Sequence, residues 1–370
     1  MTASGVETIA ARFQVVGPVT CAQPLGSGHI NDTFSVSCRA GDKMVGYVLQ
    51  RVNHRVFEDP EAVMDNIRRV TRHIRDRLMQ TDEVLARRQL VVIETHEGAA
   101  CHRDDGGDYW RMYNRIEGAA TYDTCESPAI AREAARMFGW FGRMLADLPG
   151  PGLHETIPGF HATAARFQRF LDVLGRDEHN RAKDAGPEID FVLRNESICH
   201  VVPDLISNGD IPVRATHNDT KVNNVMLDAV SGRGVCVIDL DTVMEGSSLY
   251  DFGDLVRTAA NPAAEDERDL LKVMMRMPVY EMLARGFAEG AGGLLNRTEA
   301  ACLAFACKVI AFEQMLRFLC DWLAGDRYYK VHREGQNLDR CRTQMRLVRS
   351  IVEQEEAMND VAQRVFNEVR

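Results

Sequence analysis

Short alternations of apolar and polar positions fill the first ~115 residues, and helical spacing dominates the rest. Phe13–Val16, Thr33–Ser37, Val45–Gln50, Leu90–Glu94 and Tyr109–Ile116 read as strands. Asp59–Arg88 breaks the alternation with a helix whose start is written in DPEA: a capping Asp, Pro at the first helical position, Glu in the first turn. Its arginines (Arg68, Arg69, Arg72, Arg75, Arg77) fit a solvated helix face better than a nucleic-acid patch. Helical spacing resumes at Ser127 in SPAIAREAARMFGWFGRMLADL and stops before Pro149. A β-like island occupies Arg214–Thr242. Thr298–Ala324 is then expected to be one helix, capped by Thr298 and ended at Gly325, and Asn337–Arg370 a pair of amphipathic helices. This order predicts an α+β fold in two lobes. Residues 1–116 form a small antiparallel β-sheet lobe with a helix, and residues 117–370 a larger, mainly helical lobe.

Composition narrows the partners. A net charge of −10 argues against nucleic acid as a main partner, since phosphate backbones select cationic surface. It does not exclude a nucleotide, because a bound Mg2+ lets carboxylates sit beside phosphates. The ten cysteines have no CxxC pair and several lie in apolar runs, as expected of free thiols in a reducing compartment. With no basic-then-apolar leader and no run of ~18 apolar residues, a cytoplasmic protein is expected, either a monomer or a weak homodimer.

The island carries the chemistry. Thr216–Asn224, THNDTKVNN, fits H-x-D-x-x-x-x-N, the catalytic-loop spacing of kinases. Phosphoryl transfer needs positioning more than covalent help. Asp219 suits the base that accepts a hydrogen bond from the attacking hydroxyl, and Asn224 offers a neutral oxygen to a metal ion. GVCVID then delivers Asp239 at the end of an apolar strand, a hard oxygen of the kind Mg2+ prefers. Asp241 starts toward the opposite face, and reaches the metal only if the chain turns there. Asp251-Phe252-Gly253 spells the DFG of protein kinases but follows no apolar strand. It is read instead as a helix start, capped by Asp251 and bracing the metal loop from behind. His217 is read as a structural hydrogen-bonding residue.

Upstream, Leu25–Phe34 contains Gly26, Ser27, Gly28, His29 and Asn31 between two strand signals. The two glycines would let backbone N–H groups approach phosphate. Asn31 stands where a third glycine is usual. The following strand, YVLQR, lacks the expected phosphate-binding lysine and leaves Gln50 or Arg51 to face the nucleotide, Arg51 being able to supply the charge.

The blocks GSGHINDTF, YVLQRVN, VFEDPEAVMDNI, YWRMYNRIEGAATYD, THNDTKVNNVMLD, VIDLDTVMEGSSLYDFGDLVR and RFLCDWLAGDRYYK resemble the N-acetylhexosamine 1-kinases, of the aminoglycoside phosphotransferase superfamily with its protein-kinase-like fold. The resemblance runs from about residue 25 to 330. It implies phosphorylation, by MgATP, of the anomeric hydroxyl of N-acetylglucosamine or N-acetylgalactosamine. Asp219 would be the base, Asn224 and Asp239 would hold Mg2+, and Arg317 and Tyr328 would contact the sugar. From the residues alone, Glu313, Arg317 and Asp321 share one helix face and could equally form a surface ion-pair ladder. Two other readings stay open. One is a kinase of this fold for another alcohol, such as choline, homoserine or an aminoglycoside. The other is a nucleotide-sensing pseudokinase.

Overall fold

The computed structural model describes residues 3–26, 30–125 and 127–369. It divides into two compact units: residues 1–120 with 147–158 and 225–245, and residues 121–146 with 159–224 and 246–370. The sequence reading puts its boundary at 116/117, and the first crossing between the units falls at 120/121. Later returns bring the stretch ending at Glu245 into the first unit.

In the first unit, the strands β1 (Val19–Pro24), β2 (Asp32–Ala40), β3 (Lys43–Val52), β4 (Val92–Ile93), β5 (His102–Arg103) and β6 (Tyr109–Asn114) form an antiparallel sheet. Its order is β1-β2-β3-β6-β4, with β5 also on β6. Alternation turns Val36, Cys38, Tyr47, Leu49, Trp110 and Met112 into one core with Phe13. Phe13 makes an isolated bridge to Thr95 rather than belonging to a strand. The real first strand, β1, was not foreseen, because it is an edge strand with only one buried position and a terminal Pro.

Helix α1 (Pro60–Thr81) starts as its sequence dictates, with Asp59 accepting from the Ala62 N–H at 3.0 Å. It ends earlier than expected because Asp82 caps a separate turn at Glu83–Ala86. Its arginines hold chain: Arg69 donates to the Pro151 carbonyl at 2.5 Å and Arg77 pairs with Asp147 at 2.5 Å. A second small sheet orders β9 (Gly234–Val237), β8 (Val225–Asp228) and β7 (Ala119–Ala120), and the β8–β9 hairpin leads into Asp239.

The second unit is helical: α2 (Pro128–Leu145), α3 (Thr163–Arg176), α4 (Ser248–Ala259), α5 (Met277–Ala291), α6 (Leu303–Leu323) and α7 (Gln336–Val369). Two expectations are corrected here. The segment starting at Thr298 is two helices: a short one, Arg297–Ala301, opened by a reciprocal capping box of Asn296 and Glu299 and closed at Cys302, and then α6. The C-terminal pair is a single 34-residue helix, α7. Its interior has no Gly or Pro to break it, and residues from Leu338 to Phe366 are buried along it.

Gly253 explains the DFG string. It lies inside α4, where an added Cβ would fall 2.3 Å from the Ala306 carbonyl oxygen of α6. Gly253→Ala is therefore expected to lower Tm by several degrees, in line with an overpacking cost of about 1–3 kcal/mol. An unchanged melting curve would show that the helices part there without cost.

Candidate active site

The strand Arg214–Thr216 ends at a loop held from behind. Asp251, buried in α4, accepts the His217 N–H at 3.0 Å and the Asn218 N–H at 2.7 Å. Its own carbonyl accepts the Thr220 hydroxyl at 2.5 Å. Burial pushes its carboxyl pKa up, against the pull of His217 and the two N–H groups. Asp251 thus does not cap α4. Ser247 does, accepting the Leu249 N–H at 3.2 Å. The bracing falls on the loop of Asp219. His217 is fully buried, edge-on to Phe138 and Phe141 at 5.3 and 5.8 Å, and its Nδ1 accepts the Asp219 N–H at 3.3 Å. It is a structural residue. Asn218 takes φ 65°, a left-handed backbone the braced turn imposes.

That turn presents Asp219 beside two groups. Asn224 donates Nδ2 to the Asp219 carbonyl at 2.8 Å, which leaves its Oδ1 as the oxygen available to a cation. Lys221 Nζ stands 2.7 Å from Asp219 Oδ1. Burial works against the Lys221 charge, but Asp219 and Asp254 outweigh it and hold the ammonium protonated. Sequence reasoning passed over Lys221, although its place two residues after the candidate base Asp219 was the available signal. Behind it, Asp254 pairs with Arg257 at 2.7 Å.

Asp239 and the glycine turn belong to the first unit. Asp239 follows β9 with φ 61°, uncommon for a residue with a Cβ, and opens a single helical turn, Leu240–Thr242. Asn66 of α1 pins that stretch, donating to the Val243 carbonyl at 3.0 Å. Asp241 does not turn to solvent. Arg111 of β6 grips it with both terminal nitrogens, Nη2 reaching Oδ2 at 3.0 Å, and Asn31 donates to the same oxygen at 2.7 Å. Asn31 also accepts the Asn53 N–H at 2.9 Å, so its side chain serves the protein. Gly26 takes φ 73° in the turn after β1, while Ser27, Gly28 and His29 lie outside the described residues. Arg51 is directed to Asp32 and to Asp108 at 3.0 Å, on the wall of a cleft of about 450 Å³. Its hydrogen bond to Asp32 raises its pKa first of all.

Arg317 and Tyr328 sit in the second unit. The Arg317 guanidinium lies over the rings of Phe160 and Tyr329, 5.5 and 5.7 Å from their centroids, and donates to Gln314 at 3.2 Å. Tyr328 is 65% exposed. The three charges of the helix face do not form a ladder. Asp321 accepts the backbone N–H groups of Arg327, Tyr328 and Tyr329, fixing the turn that carries both tyrosines. Glu313 is buried, with His161 Nδ1 at 3.0 Å and the Thr163 hydroxyl at 2.5 Å. Burial raises its pKa, but His161 and Arg166 overcome that and hold it ionised below the usual carboxylate range. His161 Nε2 in turn lies 3.3 Å from the Asn218 carbonyl, joining this cluster to the loop of Asp219.

An antiparallel sheet unit with a long helix and a helical unit make a protein-kinase-like fold. The chain belongs to the phosphotransferase enzyme family (APH), which it matches over residues 22–281. Among solved structures it is similar to an aminoglycoside phosphotransferase from Alicyclobacillus acidocaldarius, at 14% identity and a TM-score of 0.61, covering 97% of this chain and 96% of that one. A spectinomycin phosphotransferase in complex with ADP and spectinomycin matches at 12% identity and a TM-score of 0.59, over 96% and 99% of the two chains. An ethanolamine kinase from Plasmodium vivax matches at 12% identity and 0.53, over 88% and 82%.

Proposed function

We propose that this phosphotransferase transfers the γ-phosphoryl group of ATP to the anomeric hydroxyl of an N-acetylhexosamine, giving the sugar 1-phosphate and ADP. The observation that carries the reading of the loop is the bracing of Thr216–Asn224 by Asp251, which aims Asp219 outward with Lys221 and Asn224 beside it. In this reading Asp219 orients the acceptor hydroxyl and receives its proton as the new O–P bond forms. Lys221 offsets negative charge growing near the base. The Asn224 amide oxygen and the Asp239 carboxylate are hard donors of the kind Mg2+ takes, and the ion would draw charge from the phosphate oxygens. Backbone N–H groups of the turn from Gly26 through Asn31 would meet the phosphates.

The cluster around Arg317 favours a neutral acceptor. Arg166 and Arg317 set two guanidiniums near one carboxylate, Glu313, which is already engaged by His161 and Thr163. That excess of positive charge repels a polycationic aminoglycoside. The rings of Phe160 and Tyr329, which could cage a quaternary ammonium, are covered by Arg317 itself. Arg317 with Tyr328 suits carbonyl and hydroxyl oxygens of a sugar.

The test is a phosphate-transfer screen with MgATP. ADP should form with N-acetylglucosamine or N-acetylgalactosamine and not with the corresponding 1-O-methyl glycoside. Equal turnover of the glycoside would refute the anomeric assignment, and turnover of spectinomycin or ethanolamine in place of the sugars would move the protein to another acceptor class.

A further inference from the structure

The β3 strand has its one lysine at its outer start, Lys43, and none along Tyr47–Arg51, yet a cation occupies the interior beside that stretch. Arg111 on β6 is directly opposite Gln50 on β3 in the sheet register, and Thr33 on β2 is opposite Gln50 on its other side. Residues opposed in this way share one face of the sheet. The side chains are joined: Arg111 Nε donates to Gln50 Oε1 at 2.9 Å, and Gln50 Nε2 to the Thr33 hydroxyl at 3.0 Å. The other edge of the guanidinium forks onto Asp241, which also holds Asn31. The ring of Tyr113 lies beneath it, 5.3 Å from centroid to guanidinium carbon. Arg111 is 1% exposed and Asp241 3%.

A fully desolvated ion pair is a poor way to gain stability, since apolar side chains of similar volume commonly do as well or better. What this pair does is connect. Arg111 ties two residues that close the glycine turn (Asn31 through Asp241, Thr33 through Gln50) to the single turn that begins at Asp239. Asp239 has a left-handed backbone, which persists only where its surroundings fix it. Asp241, two residues on, is a point where they do.

We propose that Arg111 is the positioning residue of the nucleotide site: supplied from β6 opposite Gln50, where β3 carries no lysine, it sets the Asp239 carboxylate for the nucleotide-bound cation through its grip on Asp241. The proposal rests on the reading of Asp239 as a Mg2+ ligand. Arg111 acts through Asp241 and touches no phosphate.

The experiment measures binding of ADP, with and without Mg2+, to wild-type protein and to three variants, alongside thermal melting. Wild type should bind ADP more tightly with Mg2+ than without. If it does not, the Mg2+ reading of Asp239 fails, and this proposal with it. Arg111→Met alone strands a buried carboxylate and should melt well below wild type. Arg111→Met combined with Asp241→Met removes both charges and should melt close to wild type, yet lose tenfold or more in affinity for MgADP while metal-free ADP binds within twofold of wild type. Arg111→Lys keeps the charge but not the fork. It should lose MgADP affinity at least threefold with metal-free ADP unchanged, and it carries the comparison if the double variant does not fold. MgADP affinity equal to wild type in the double variant, or in Arg111→Lys where that variant alone is folded, would make the pair merely structural. An equal loss with and without Mg2+ would make Arg111 a phosphate ligand. Either result overturns the proposal.

Discussion

Asp219→Asn is expected to lower kcat about 10³-fold while the Kd for MgATP stays within about twofold, a loss near 4 kcal/mol of transition-state stabilisation. The substitution keeps the shape of the side chain and removes its ability to take a proton. The loop should survive it, because the contacts that shape the turn use the backbone of residue 219. Asn224 donates to its carbonyl, and its N–H is given to His217. Lys221 loses its carboxylate partner, 2.7 Å away, and becomes free to attract phosphate. Nucleotide binding is therefore expected to hold or tighten slightly rather than weaken. Single-turnover transfer from MgATP in the presence of excess sugar separates the two effects. A variant with wild-type kcat would remove Asp219 from the role of base, and a variant that no longer binds MgATP would make it a ligand instead.

How far the sequence could be read depended on how local the signal was. The candidate loop Thr216–Asn224, the β8–β9 hairpin and Asp239 lie within a short span, with residue types set by position, so spacing alone singled them out as candidates. The start of α1 was equally plain, because Asp59 and Pro60 act on their immediate neighbours. Partners separated by a long stretch of chain were hidden. Arg111 and Asp241 are 130 residues apart, and an arginine between Trp110 and Met112 reads as the outward residue of a half-buried strand. The face it points to is also buried, and alternation says nothing of what covers a face. Arg51 drew attention for the converse reason: it carries a visible charge on the strand where one was sought, while Asp32 and Asp108 that meet it are scattered along the chain. The cap of the segment at Thr298 failed on competition between neighbours. Asn296 offers a capping oxygen with Glu299 three residues on, and a reciprocal pair outweighs a lone threonine. Asp251 was recognised as a brace, but its mode was not, since a carboxylate inside a helix can reach backbone only from another part of the fold.

That mode sets the second large effect. Asp251→Ala leaves the N–H groups of His217 and Asn218 without their acceptor at a place water reaches poorly, His217 being 0% and Asn218 3% exposed. Each unpaired buried N–H costs about 1–3 kcal/mol, so roughly 2–6 kcal/mol is lost in all. One effect opposes this. Burial disfavours the ionised carboxyl of Asp251, as its raised pKa records, and deleting it relieves that penalty. The two N–H groups prevail, because they remain in place to be left unsatisfied while the deleted carboxyl does not. A drop in Tm of about 5–10 °C is expected, given about 2–4 °C per kcal/mol for chains of somewhat smaller size. Activity should fall as well, at temperatures where the variant is folded. The left-handed backbone of Asn218, φ 65°, is held by the same carboxylate, and Asp219 is the next residue. Asp239→Ala should behave in the opposite way: Tm close to wild type, with affinity for ADP lost only when Mg2+ is present. Melting curves paired with ADP titrations, with and without Mg2+, distinguish the two aspartates. A normal Tm in Asp251→Ala together with Mg2+-dependent loss of nucleotide would hand the metal to the DFG-like residue after all.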